Sequence, residues 1–225
     1  AILFDLANGG DKAWGRFPPY RDLGYAAARN AATIFDIGSV GAGAGCTTAT
    51  VKGGLGSAST VLDSGVTIAA LVAVNAVGSP LIGATRHFWA APFEIGDEFG
   101  GLGQPHPWPN DSADARTKLD ARPGANTTVG IIATDAVMDK ASARRLAFAA
   151  HDGYSRAIWP SHTDFDGDLV FAAATGRSGI SLDPRGARSV ELGAAAAATM
   201  ARAVARGVFA ATPADTDSLR PWSHL

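Results

Sequence analysis

Residues 96–126 follow no period of two or of 3.6, and they end abruptly at an apolar run, Val129-Gly130-Ile131-Ile132-Ala133-Thr134. A structureless stretch of roughly thirty residues far exceeds the ~12–15 of an ordinary long loop in a compact domain. It must be either a linker between domains or a loop with a task. The residues where it stops favour the task, because Asn126-Thr127-Thr128 sits where a flexible approach meets a buried strand.

The rest of the chain supplies what such a strand needs. Hydrophobic residues make up 47% of the 225 and charged residues 18%, enough for a substantial core and too apolar for disorder. The spacing predicts strands at residues 1–6, 47–51, 66–74, 128–134 and 169–175. Helices are expected at 23–35, from an Asp139 cap to about Ile158, and at 189–211, the last one Ala-rich and buried. Strands apolar on both faces mixed with helices predict an α/β protein of stacked layers, within one domain over residues 1–225. Residues 1–6 read as a buried strand with no lead-in, which suggests that further chain precedes it.

Several function classes fall away. A net charge of -2 without a basic run argues against nucleic acid as a partner. Lys52, Asn75 and Arg202 interrupt the apolar stretches, so no segment is expected to span a membrane. The lone Cys46 can build neither an internal disulfide nor a multi-cysteine zinc site, and it fits a reducing compartment. The glycines of residues 38–45 match neither G-x-G-x-x-G nor a P-loop and are expected to serve close backbone packing. Asp164-Phe165-Asp166-Gly167-Asp168 opens like a calcium loop, but Leu169 and Thr175 stand where glycine and glutamate belong. The five histidines lack zinc spacing, so no metal and no other cofactor is expected.

Three features make the junction chemical. A Thr127 hydroxyl attacking the Asn126 carbonyl would form an ester whose hydrolysis frees Thr127 as a new chain start. Its α-amine, with an ordinary pKa near 8, can then serve as base for its own hydroxyl. Asp164, Asp166 and Asp168 cluster just before a buried strand, where they could orient an ammonium. Lys52 and Asn75 lie at the edges of apolar segments, where an unpaired polar group is costly.

The runs Asn126-Thr127-Thr128-Val129-Gly130-Ile131-Ile132-Ala133-Thr134-Asp135, Ala150-His151-Asp152-Gly153 and Pro160 through Ala172 resemble the self-processing P1-type aminopeptidases. This is the DmpA-like L-aminopeptidase/D-esterase group, which includes the NylC-type nylon-oligomer hydrolases. The resemblance covers nearly the whole chain. It implies a four-layer α/β/β/α sandwich of the N-terminal-nucleophile type, cut into an α part (1–126) and a β part (127–225). It also implies Thr127 as nucleophile, Asn126 as the residue left behind, Asn75 as oxyanion donor and Lys52 as the cation beside the nucleophile. Asp166 and Asp168 match the acidic pair that holds the cluster. Phe4 stands where family members carry a tyrosine near the substrate, so that hydroxyl is missing here. The expected reaction is amide hydrolysis through an acyl-enzyme, on short peptides or aminohexanoate oligomers, in a homo-tetramer or larger and a cytoplasmic or periplasmic setting. Acyl transfer to an amine by the same threonine, or a non-catalytic member of the fold, are the alternatives.

Overall fold

The computed structural model describes residues 13–119, 126–183, 186–215 and 217–225. Four strands form one sheet in chain order: β1 (Leu55–Val61), β2 (Thr67–Ala73), β3 (Val129–Thr134) and β4 (Leu169–Ala174). The first two pairings are antiparallel, while β3 and β4 run parallel. A parallel pair needs a long crossover, and helix α2 (Lys140–Ser155) supplies it. Asp139 caps α2 as expected, its carboxylate accepting the Ser142 N–H at 2.7 Å.

Helix α3 (Ala187–Phe209) lies across β1 and β2 and packs beside α2. Ile68, Ala70 and Val72 of β2 and Ile132 of β3 face Met200, Val204 and Val208, all of them buried. Removing that apolar surface from water is the main force holding the layers together. Glycine sets how closely they approach. A Cβ on Gly56 would sit 1.8 Å from the Ala203 carbonyl oxygen, so no other residue fits between β1 and α3. The expected packing role of the glycines at residues 38–45 appears at Gly43, where a Cβ would lie 2.0 Å from Leu55 N.

The α/β class is as expected, and among the described residues it consists of one sheet with α2 and α3 on one face. The opposite face carries the row Leu71–Ile131–Phe171 across β2, β3 and β4, with Ile131 at 42% and Phe171 at 61% exposure. Such an apolar sheet surface has the character of one that packs on a second sheet.

Three elements differ from the reading of the sequence. Residues 47–51 form a tight turn rather than a strand, because the Thr48 hydroxyl accepts the Val51 N–H and donates to the Val51 carbonyl. The first helix, α1, runs Tyr20–Arg29 and not 23–35, starting after Pro19 and ending at Asn30, with no residue buried. Strand β1 was not anticipated, since Leu-Gly-Ser-Ala-Ser-Thr-Val lacks the bulk of an ordinary buried strand. The strand expected at residues 1–6, and Phe4 with it, lies outside the described residues.

Candidate active site

The β ladder continues past the strands and builds the site. Thr127 N–H donates to the Asn75 carbonyl at 2.9 Å, Gly167 N–H to the Asn126 carbonyl at 3.0 Å, and Leu169 N–H to the Thr128 carbonyl at 3.1 Å. Asn75, Thr127 and Gly167 thus form a row two residues beyond Ala73, Val129 and Leu169. With side chains alternating along a strand, Thr127 falls on the same sheet face as Val129 and Ile131.

Thr127 is 1% exposed, and its hydroxyl donates to the Asn126 carbonyl oxygen at 2.6 Å. That carbonyl therefore receives two donors, one from the threonine that follows it and one from Gly167. The absent side chain at Gly167 makes room for this, since a Cβ there would lie 2.8 Å from Thr127 Oγ1. Asn126 is buried as well, yet neither its Oδ1 nor its Nδ2 has a hydrogen-bond partner. The Thr128 hydroxyl is also buried without one.

The two aspartates grip the strands on either side of the nucleophile. Asp168 Oδ1 accepts Thr128 N–H at 2.8 Å, and its Oδ2 lies 3.5 Å from His162 Nδ1. Asp166 Oδ1 accepts Val77 N–H at 3.1 Å, while Oδ2 takes the Thr163 N–H at 3.1 Å and hydroxyl at 2.9 Å. Burial, helped by the Asp168 charge, pushes the Asp166 carboxyl above its usual range. The hydrogen bond to Asp168 raises His162, and burial followed by the His162 charge lowers neighbouring His151. His162 reaches Asp168 from a left-handed backbone, at φ 55°. Asp164 enters none of these bonds.

Asn75 lies opposite Thr127 in the ladder, whereas Lys52 is paired with the carboxyl-terminal segment. Lys52 is buried and its ammonium donates to Asp217 at 2.6 Å and to the Thr212 carbonyl at 2.9 Å. Its backbone N–H also binds the Arg220 carbonyl. The carboxyl-terminal segment thus captures this lysine, because a buried ammonium is held best by a carboxylate. The cation beside Asn75 is instead Lys118, which sequence reasoning missed. Its Nζ donates to Asn75 Oδ1 at 2.9 Å, to the Thr47 carbonyl at 2.9 Å and to Thr47 Oγ1 at 3.2 Å. Thr47 N–H donates to the same Oδ1 at 3.1 Å. Two donors on Oδ1 fix the orientation of the amide and leave Nδ2 as its donating end. Nothing in the sequence set Lys118 apart from Arg116 and Arg122 in the same aperiodic stretch.

Other chemistry is poorly served. Burial pushes the Cys46 thiol to about 12, which removes it as a nucleophile. Among the described residues there is no group of three or more His, Cys, Asp or Glu side chains placed to hold a metal, and no helix long and apolar enough to cross a membrane.

Thr127 stands at the end of a sheet strand with two donors on the carbonyl before it. The fold has solved counterparts. The L-aminopeptidase D-Ala-esterase/amidase from Ochrobactrum anthropi, described as a prototype for the serine aminopeptidases and a variant of the Ntn hydrolase fold, superimposes with a TM-score of 0.54. The match has 22% identity and covers 84% of this chain and 49% of that one. A Burkholderia sp. beta-aminopeptidase matches with a TM-score of 0.51 and 25% identity, over 82% of this chain and 49% of that one. The model of peptidase family S58 matches residues 1–220, and the chain belongs to that family. An uncharacterized aminopeptidase of Mycobacterium tuberculosis is 41% identical over 226 residues, covering 95% of this chain and 63% of that protein. One from Mycobacterium leprae is 38% identical over 94% of this chain and 60% of its own length. The chain spans about three fifths of the curated relatives it matches.

Proposed function

We propose that this protein is a self-processing aminopeptidase that cuts its own Asn126–Thr127 bond and then hydrolyses amides through an acyl-enzyme on Thr127. The observation that carries the reading is the Asn126 carbonyl oxygen, held between the Thr127 hydroxyl at 2.6 Å and Gly167 N–H at 3.0 Å. In self-cleavage, Thr127 Oγ bonds to the Asn126 carbonyl carbon and the C–N bond breaks. The hydroxyl proton ends on the Thr127 nitrogen, and water then opens the ester. The charge that develops on the carbonyl oxygen meets Gly167 N–H, a fixed donor of the kind worth about 3–4 kcal/mol of barrier.

Each turnover repeats these steps with a substrate carbonyl in the same place. The free Thr127 amine takes the hydroxyl proton and later activates water. The Asn75 Nδ2 end, its amide oriented by the Lys118 and Thr47 donors on Oδ1, is a second donor to the oxyanion. Asp168 anchors Thr128, so that the nucleophile keeps its register. Because Thr127 is buried, the chain on the Asn126 side must withdraw before a substrate enters. Substrates in this reading are short peptides or amides with a free amino end, or linear aminohexanoate oligomers, and the protein acts as a homo-oligomer. The test is the intact mass of the purified protein with sequencing of any new amino terminus. A fragment beginning Thr-Thr-Val-Gly-Ile-Ile is expected, and a chain still uncut after long incubation would refute the mechanism.

A further inference from the structure

We infer that the space filled by the Asn126 side chain is, after cleavage, the subsite for the side chain of the acyl residue, and that it selects aliphatic over polar side chains. The inference rests on the self-cleavage reading. The same Thr127 Oγ attacks both the junction and the substrate, and the same Gly167 N–H holds both carbonyl oxygens. The substituent on the acyl Cα therefore follows the direction that Asn126 takes. Acylation makes the Oγ–C bond, breaks the amide C–N bond and sends the hydroxyl proton to the departing amine; water then releases the amino acid.

The walls of this space are read from what Asn126 fails to find there. Its Oδ1 and Nδ2 are both buried without a partner, as is the Thr128 hydroxyl two residues on. The ladder, continued past Ala73 and Val129, sets Ala76 opposite Asn126, and both Ala76 and Val77 are almost fully buried. Backbone groups of the facing segment are already engaged: Val77 N–H binds Asp166, the Val77 carbonyl takes Lys118 N–H, and the Asn75 carbonyl takes Thr127 N–H. A polar side chain entering here gives up water and gains nothing, whereas an aliphatic one of the same shape has nothing to lose. The favoured substrates are amides whose first residue carries a small or branched aliphatic side chain beside a free amine.

Leucine and asparagine branch alike at Cγ, so they separate polarity from size. With purified, self-processed full-length protein, kcat/KM for leucine p-nitroanilide should exceed that for asparagine p-nitroanilide by roughly 10- to 100-fold. Equal rates, or a preference for asparagine, would overturn the assignment. A second measurement works without turnover. Thr127→Ala keeps the junction intact, and adding Asn126→Leu to it should raise Tm by ~2–4 °C; an unchanged or lower Tm overturns the inference. An uncut wild-type chain defeats the parent reading and this one together, while a cut chain that accepts asparagine as readily as leucine defeats this one alone.

Discussion

Ala70, Ile132 and Ala172 form one row across β2, β3 and β4, and Asn75, Thr127 and Gly167 form another beyond the end of the same strands. The backbone pairing is of the same kind in both. In the interior row the side chains are apolar and two of the three are fully packed under α3. In the end row they are a hydroxyl, an amide and nothing at all, and the flanking Asn126 and Thr128 leave polar atoms unpaired. The ladder fixes positions to within a hydrogen bond in either place. What differs is whether the positioned groups stabilise the fold or remain available to react.

Removing the reacting group should produce the largest effect. Thr127→Ala is expected to abolish the cut at Asn126 and to reduce amide hydrolysis by at least ~10⁴-fold, seen by intact mass and a p-nitroanilide assay. Its Tm should stay near that of the uncut wild-type chain, since one buried hydroxyl is exchanged for a methyl.

Two glycines sharpen the contrast. Gly167→Ala brings a Cβ to 2.8 Å from the Thr127 hydroxyl, a side-chain atom that can rotate away, and a φ in the left-handed region is not involved. The self-cleavage rate should fall ~10²- to 10³-fold through misplacement of that hydroxyl, with little loss of Tm. Gly56→Ala meets the Ala203 carbonyl at 1.8 Å, where only movement of α3 can relieve the clash. That variant should lose ~1–3 kcal/mol or more of stability while the fraction that folds still cuts itself. If Gly167→Ala melts early and cuts normally, the division between the two rows fails.

The two buried lysines make the same point at lower amplitude. Lys118→Met frees Asn75 Oδ1 from one of its two donors, so the amide loses its fixed orientation. Turnover should drop by ~10- to 100-fold in kcat, with partial rescue by Lys118→Arg. Lys52→Met breaks the pair with Asp217, whose side chain is 21% exposed. Its cost should appear as stability, below the ~3–5 kcal/mol of a fully buried pair, and kcat should hold. Comparing kcat and Tm for both variants checks the assignment, and the reverse pattern would return Lys52 to the site.

Much of this was legible in the sequence because the chemistry is concentrated in short runs. Thr127 follows an aperiodic loop and opens an apolar strand, and Asp166 and Asp168 precede the next one, so parallel pairing of β3 and β4 brings them together. Asp139 announced α2 for the same local reason. Lys118 was not legible, since it lies within a stretch without periodicity and acts on a residue 43 positions away. Lys52 misled because its partner, Asp217, lies 165 positions away in the chain. β1 escaped notice because close contact with α3 demands glycine, serine and alanine where strand signals require bulk.

His162 gives the smallest effect and the one that joins the end row to pH. Its pKa is raised in the folded protein, chiefly by the hydrogen bond with Asp168, so the charged pair stabilises the fold fully below the ordinary histidine value of ~6.5. That contribution fades as pH rises through the raised value. His162→Gln should therefore lower Tm more at pH 5.5 than at pH 8.5. The His162 side chain is 37% exposed, and solvent screening limits the difference to about a degree or two. His151 works against it: the His162 charge helps hold its pKa down, so removing that charge relieves a cost which wild type bears only at low pH. A double variant, His162→Gln with His151→Gln, should consequently show a steeper pH dependence relative to His151→Gln alone. Equal penalties at both pH values would separate His162 from Asp168, and Asp168 would then hold Thr128 without its help.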